Sequence, residues 1–229
     1  MDDWRILLYP LGFLPGLCFG GRAIMQWLCS ESKGRSVVNR PFWLLSLTGN
    51  VALALHSLIQ VQFHVCIVQA CNAVIAWRNL NLMQKKKAPV SFRTVLALFA
   101  FVSVIVTVLF LIQGWFFNNG VVEMFRVPVT PWSGDASAEL PLLWHAIGFT
   151  GIVLFASRFW VQWWFAEKHQ KSFLGGPFWW ISLIGDLLSL AYFTQIKDPV
   201  NFIGPALGLI PYIRNIILIR KEQRKERTT

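Results

Sequence analysis

Seven apolar runs, each about twenty residues long, constrain this chain more than any other feature of its sequence. A helix needs about 20 mostly apolar residues to cross a bilayer, so each run predicts one transmembrane helix. The second and third runs are almost contiguous, as are the sixth and seventh, and each pair predicts a helix hairpin with a very tight turn. The predicted spans are 6–29, 41–60, 63–83, 93–117, 142–166, 177–196 and 199–219.

The composition supports a membrane protein and excludes other classes. Charged residues make up 14% of the chain, whereas soluble domains carry about 25%. These values exclude an ordinary soluble domain, a disordered chain and a module that binds nucleic acid, despite the net charge of +10. The four cysteines lie in or beside apolar runs and lack metal-binding spacing, so we expect no metal site and no cofactor.

The basic residues predict the orientation in the membrane. With seven spans, 14 of the 21 lysines and arginines fall on one side, and only Arg5, Arg126 and Lys197 fall on the other. The larger set includes Lys85, Lys86 and Lys87 and the C-terminal tail. Because cytoplasmic loops carry an excess of Lys and Arg, we expect the N-terminus outside and the C-terminus in the cytoplasm.

An internal repeat organises the chain. A shift of 136 residues aligns 12–82 with 148–218 without a gap and gives 19 identities in 71 positions, mostly polar and aromatic. Each copy holds three predicted helices, so two copies in direct succession would cross the membrane in opposite orientations. The additional span 93–117 lies between them and gives both copies the same orientation. The sequence therefore predicts an all-α polytopic membrane protein with seven transmembrane helices in a 3+1+3 arrangement of two parallel repeats.

The repeat also divides the chain into predicted domains. Residues 1–90 form the first three-helix repeat, 91–141 the linker helix with an external loop, and 142–229 the second repeat with its basic tail. Parallel repeats are typical of transporters, which bind substrate between the copies. The alternative is a duplication that serves packing alone.

Arg22 and Arg158 are the strongest indication of a binding site, because a charge inside a span is costly and usually faces a cavity or a partner. Gln26 and Gln162 follow them by four residues, so each repeat presents an Arg–Gln pair on one helix face. A guanidinium beside an amide suits a phosphate or carboxylate. The alternative is that each arginine extends to the cytoplasmic head groups.

One difference between the copies bears on charge. Asn50 of the first repeat corresponds to Asp186 of the second. We expect Asp186 to neutralise Arg158 in an ion pair and leave Arg22 as the freer anion anchor; alternatively, Asp186 is protonated and bonded to a neighbouring helix.

Further residues complete the predicted site. Glu31 and Glu167 follow the first helix of each repeat and either pair with loop residues such as Lys33, Arg35 or Lys168 or take part in gating. The other predicted structural or gating residues are Trp43, Trp179, Pro205 and Pro211, the prolines marking a broken or bending seventh helix. The other predicted binding residues are Asn79, Arg214 and Asn215.

The matching motifs resemble a known family. Arg22, Gln26-Trp27, Ser36-Val37-Val38, Pro41-Phe42-Trp43 and Arg78-Asn79, repeated in the second copy through Tyr212-Ile213-Arg214-Asn215, are similar to the family named for the N-terminal domain of lipid-A-disaccharide synthase. That family is grouped with the PQ-loop and SWEET sugar transporters, whose plan is also 3+1+3. The resemblance implies a bacterial inner-membrane protein of lipid A synthesis that assists the catalyst.

Together these features predict a transporter or flippase for an anionic lipid-linked or phosphorylated sugar, such as a polyprenyl-phosphate-linked one. One alternative is a non-catalytic membrane partner that recruits a glycosyltransferase. Another is lipid-A-disaccharide synthase activity itself. About ten residues follow the seventh span, and no acidic or Gly-rich nucleotide-sugar site is evident, so we do not expect this chain to be the catalyst.

Overall fold

The computed structural model describes residues 5, 7–84, 90–117, 120–124, 141–195 and 199–228, and helices with short connections make up this part of the chain. A short 3-10 helix, Tyr9–Gly12, precedes seven α-helices within these ranges. The α-helices are α1 (Phe13–Lys33), α2 (Arg40–Ile59), α3 (Phe63–Leu82), α4 (Phe92–Phe117), α5 (Leu142–His169), α6 (Gly176–Gln195) and α7 (Pro199–Thr228). The predicted all-α class is confirmed.

Three of the helices are long and apolar enough to cross a membrane: Arg40–Ile59, Phe92–Phe116 and Leu142–His169. Helix α3 carries Asn72, Arg78 and Asn79 within its length, and such residues dilute its hydropathy. Membrane association follows from the three apolar helices, while the seven-span 3+1+3 arrangement stays a prediction. The orientation rests partly on Lys85, Lys86, Lys87, Arg126 and Lys197, which lie outside the described residues.

The turn between α2 and α3 is as tight as the sequence predicts. Val61 adopts a left-handed conformation with φ of 59°, which is strained for a β-branched residue. Its buried side chain packs with Cys66, Val106 and Phe110 in an apolar cluster. The amide of Phe63 donates to the carbonyl of Met124. Burial in this cluster offsets the strain at Val61 and connects the hairpin to α4.

The helices form two compact units. The first comprises Met1–Arg22 and Arg40–Gly134, and the second comprises Ala23–Asn39 and Asp135–Thr229. In the first unit α2 packs on α3 and α3 on α4; in the second α5 packs on α6 and α6 on α7. Helix α1 changes unit after Arg22. These units are defined by contacts, whereas the domains 1–90, 91–141 and 142–229 follow the repeat, and that division stays a prediction.

Glycines allow α5 and α6 to approach closely in the second unit. A Cβ on Gly185 would lie 2.9 Å from the Phe155 amide nitrogen and 3.0 Å from the Gly151 carbonyl oxygen. A Cβ on Gly151 would lie equally close to the amide nitrogen of Ser189, at 2.9 Å. The opposing atoms belong to the backbone, which cannot turn aside as a side chain does. The spacing of α5 and α6 therefore depends on both glycines.

We expect Gly185→Ala to destabilise the protein by about 1–3 kcal/mol, because the added methyl group forces two backbones apart. Thermal unfolding in detergent measures the effect. Gly16→Ala in α1 is the matched control, since a Cβ there meets nothing within 4 Å. That variant should keep or slightly raise the melting temperature. Equal melting temperatures for the two variants would show that the close approach of α5 and α6 at Gly185 does not affect stability.

Candidate functional site

In the first unit, the guanidinium of Arg22 lies among aromatic rings. Its Cζ is 4.4 Å from the centre of the Phe19 ring and 5.5 Å from that of Phe42. Nη1 donates a 2.9 Å hydrogen bond to Ser46 Oγ, and Ser46 donates to the carbonyl of Phe42. Because Phe19 precedes Arg22 by three residues, its ring lies on the same helix face. Ring faces and a hydroxyl therefore stabilise this buried charge.

In the second unit, Arg158 has the same aromatic surroundings. Its Cζ lies 3.4 Å from the centre of the Phe155 ring and 5.8 Å from that of Phe178, the counterparts of Phe19 and Phe42. The hydroxyl group differs, because Arg158 Nη1 donates to the Tyr212 hydroxyl over 2.9 Å. Its Nε is buried and has no acceptor within the described structure. Arg158 thus retains one donor for a further group.

The ion pair expected between Arg158 and Asp186 does not form among the described residues, since Arg158 bonds to Tyr212 instead. Asp186 Oδ2 is buried without a hydrogen-bond partner in that part of the chain. A Cβ on Gly208 would lie 2.6 Å from this oxygen and 3.2 Å from the Tyr212 hydroxyl. Because Gly208 has no side chain, it leaves room for both the Asp186 carboxylate and the Tyr212 hydroxyl. The counterpart Asn50 is buried in the first unit.

The second half of α1 bonds to α7 within the second unit. Gln26 and Asn215 exchange two hydrogen bonds between their side-chain amides, at 2.9 and 3.1 Å. One turn further on, Arg214 donates to both carboxylate oxygens of Glu31, at 2.5 and 2.7 Å. The expected pairing of Glu31 with its own loop is therefore wrong. The Arg214 hydrogen bond, above all, lowers the pKa of Glu31 from its usual 4.5.

The remaining predicted polar residues bond mainly within their own repeat. Gln162 donates to the carbonyl of Phe173, as Gln26 does to that of Val37, and Trp163 donates to Glu167 as Trp27 does to Glu31. In the first unit, Asn79 is fully buried and donates to the Ile75 carbonyl. The glutamine and tryptophan contacts repeat at the 136-residue offset. They therefore belong to a set of hydrogen bonds common to both copies, which we call the frame.

The predicted structural residues are buried or helical. Trp43 and Trp179 each pack edge-on against the preceding phenylalanine at a centroid distance of 4.9 Å. Trp179 Nε1 also donates to Ser36 Oγ at 3.1 Å. Helix α7 continues through Pro205 and Pro211 instead of breaking there. Their predicted part in gating stays a prediction.

Sequence reasoning missed the residues that hold the arginines. Phe19 and Phe155 precede them by three residues in both copies, and this repeated spacing was the available signal. Tyr212 gave no such signal, because its counterpart Ala76 carries no hydroxyl. Chemically, the arrangement offers buried guanidinium and amide donors, which suit an anionic group such as a phosphate.

Comparison with known proteins gives one family. The profile of the Lipid A Biosynthesis N-terminal domain matches residues 11–81 and again 147–217, at the same offset as the internal repeat. Curated relatives named lipid-A-disaccharide synthase are 38% identical over 220 residues in Chlamydia pneumoniae and 34% identical over 222 residues in Chlamydia trachomatis serovar D. No solved structure gives a significant match.

The matches cover most of this chain but only a part of each relative. The match to the Chlamydia pneumoniae protein covers 95% of this chain and 34% of that protein, and the Chlamydia felis relative, 32% identical, has the same coverage. This chain therefore spans about a third of the length of the curated relatives that it matches.

The predicted transporter or flippase function is wrong, because the matching relatives from three Chlamydia species carry the name of a synthase. The prediction rested on the repeat and on arginines buried in apolar helices. Aromatic rings and hydroxyls contact both buried arginines, so burial by itself does not indicate a transport path.

We expect Tyr212→Phe to destabilise the second unit by about 1–3 kcal/mol, because it removes the acceptor of a buried guanidinium. Denaturant unfolding in detergent, followed by tryptophan fluorescence, measures the loss. Tyr192→Phe is the control, since its hydroxyl makes only an exposed 3.5 Å contact with His145. The assigned role of Tyr212 would be refuted by an equal effect of the two substitutions.

The Glu31–Arg214 pair predicts a pH dependence. Because the pKa of Glu31 is lower in the folded protein than its usual 4.5, the pair stabilises the fold above that pH and is lost as the pH falls through the folded pKa. Glu31→Gln should therefore show a smaller loss of melting temperature than the wild type between about pH 6 and pH 3. Arg214→Gln should show the same reduction. An unchanged acid dependence in both variants would contradict the pairing.

Proposed function

Because this chain belongs to the Lipid A Biosynthesis N-terminal domain family, we propose that it acts in lipid A disaccharide synthesis. In this proposal the chain is the membrane-embedded region that takes part in an activity of the lipid-A-disaccharide synthase type. The sugar transfer itself is carried out by a glycosyltransferase domain with which the chain works.

The observation that carries the proposal is the extent of the match. Nearly the whole chain, 95% of it, corresponds to about a third of proteins named lipid-A-disaccharide synthase. A region that makes up a third of a synthase contributes to the synthase activity. The other regions are supplied either by the same polypeptide or by a partner protein. A membrane partner that recruits a glycosyltransferase is one form of the proposal, and a membrane region of the synthase polypeptide itself is the other.

We further propose that the polar side chains inside the helices bind the anionic part of the acylated sugar substrate. Arg158 supports this assignment best, because it is buried, carries a permanent charge and retains an unbonded Nε donor among the described residues. A charge-assisted hydrogen bond from a guanidinium suits a phosphate. In the second unit the proposed binding residues are Gln26, Arg158, Gln162, Asp186, Arg214 and Asn215. In the first unit they are a separate set, Arg22, Asn50 and Asn79.

The proposed setting is the bacterial inner membrane, because lipid A synthesis is bacterial and three helices are apolar enough to span a bilayer. The bias of 14 basic residues against three supports seven spans with the C-terminus in the cytoplasm. We propose the 3+1+3 helix arrangement of the PQ-loop and SWEET group for this chain, but not the transport function of that group.

Depletion of the chain in its own bacterium tests the function. We expect the lipid A disaccharide to fall and acylated monosaccharides to accumulate, as measured by mass spectrometry of extracted lipids. Wild-type protein should restore the disaccharide. Arg158→Gln should restore it roughly tenfold less well, since it removes a charge-assisted contact of about 1.5–3 kcal/mol.

The matched control for this test is Arg93→Gln, at an exposed position near the start of α4, which should complement fully. Immunoblots of membranes confirm equal amounts of each variant. A depleted strain that keeps a normal level of lipid A disaccharide would refute the proposed function.

A further inference from the structure

The second unit contains a pocket between the end of α5 and the start of α6. Its volume is about 230 Å³. Pockets for drug-sized ligands usually measure about 300–1,000 Å³, so this one accommodates a part of a larger molecule. None of the residues that line it belongs to the predicted binding site except Gln162.

Aromatic side chains form most of the pocket wall. Phe165, Phe173 and Phe178 line it, and His169 lies between two of them. The His169 ring is 5.4 Å from that of Phe173 and 6.4 Å from that of Phe165. The His169 Nδ1 contacts the Phe165 carbonyl, and the Gln162 amide donates to the Phe173 carbonyl. The surface is therefore mainly carbon and suits an apolar occupant.

Two glycines keep the pocket open. A Cβ added to Gly176 would meet no atom within 4 Å, so this residue faces empty space. A Cβ on Gly175 would lie 3.0 Å from the Phe173 ring. Side chains at these positions would fill the pocket or press on its wall.

The first repeat lacks this set of residues. Gln162, Pro177 and Phe178 have identical counterparts, but the other lining positions differ. The counterparts of Phe165, His169, Phe173, Gly175 and Gly176 are Cys29, Lys33, Val37, Asn39 and Arg40. The shared residues form the common frame, and the second copy alone adds three rings and removes two side chains. A packing requirement common to both copies does not explain this difference.

Two lysines are close in sequence to the pocket residues His169 and Phe173. Lys168 and Lys171 are exposed, one in the last turn of α5 and the other in the loop that leads to Gly176. An apolar pocket in a segment that also carries two exposed lysines suits a molecule with a hydrocarbon chain and an anionic head.

We propose that this pocket binds a segment of an acyl chain of the acylated sugar phosphate used in lipid A disaccharide synthesis, with Lys168 and Lys171 near its phosphate. The proposal rests on the proposed function for the identity of the lipid. It assigns the second repeat a lipid-binding role that the first repeat does not share.

Photo-crosslinking to the purified full chain in nanodiscs tests this site. The probe is a synthetic acylated sugar phosphate with a diazirine in its acyl chain. We expect crosslinks to residues 162–178, identified by peptide mass spectrometry. Gly176→Leu should reduce them at least about tenfold, because its side chain displaces several methylene groups from the pocket.

Two controls separate blockage of the pocket from unfolding. Gly20→Leu in α1 makes the same substitution at an exposed site where a Cβ meets nothing within 4 Å, and it should leave crosslinking unchanged. The triple variant Phe165→Cys, His169→Lys, Phe173→Val introduces the residues of the first repeat and should lose crosslinking while keeping its melting temperature.

The source of the bound lipid is tested with a second probe, phosphatidylglycerol bearing the same diazirine. Weaker labelling by this probe supports the assignment to an acylated sugar phosphate, and equal or stronger labelling overturns it. Full labelling of a folded Gly176→Leu variant overturns the pocket itself. Neither result changes the outcome of the depletion experiment, which measures the lipid A disaccharide. The pocket can therefore be refuted by crosslinking while the proposed function still holds.

Discussion

A permanent charge buried among apolar helices needs local compensation, and this requirement governs how both units pack. The guanidinium groups of Arg22 and Arg158 each lie on the ring of a phenylalanine one turn earlier and face a second phenylalanine near the start of the next helix. The contact therefore links α1 to α2 in the first unit and α5 to α6 in the second. In the second unit, the glycines at 151 and 185 let the helices approach closely enough for it to form.

Side-chain hydrogen bonds also link the second half of α1 to α7. Beyond Arg22 this helix carries Gln26 and Glu31, whose polar groups need partners, and they find them on α7 at Asn215 and Arg214. These partners lie 189 and 183 residues away along the chain. The second half of α1 is therefore bonded to α7 within the second unit, although in sequence it belongs to the first repeat.

Differences between the two copies are more informative about function than their similarities. The identities at the 136-residue offset correspond largely to bonds within the frame, such as the tryptophan–glutamate and glutamine–carbonyl contacts. Interpretation of these identities as a transport path is wrong because the relatives that share the domain are named as a synthase. The departures, at Asp186, Tyr212 and the aromatic pocket, lie where the second unit has unbonded polar atoms or open space among its described residues.

The sequence by itself determined the helices, their order, the tight turn at Val61, the repeat and the family, because apolar runs and internal periodicity are local properties of the chain. Only the tertiary structure decided that Arg158 bonds to Tyr212 instead of pairing with Asp186, and that Glu31 pairs with Arg214 instead of its own loop. Such choices depend on which groups meet in space after packing. Helical spacing shows the face on which a side chain lies, but it does not identify the distant residue that this face meets.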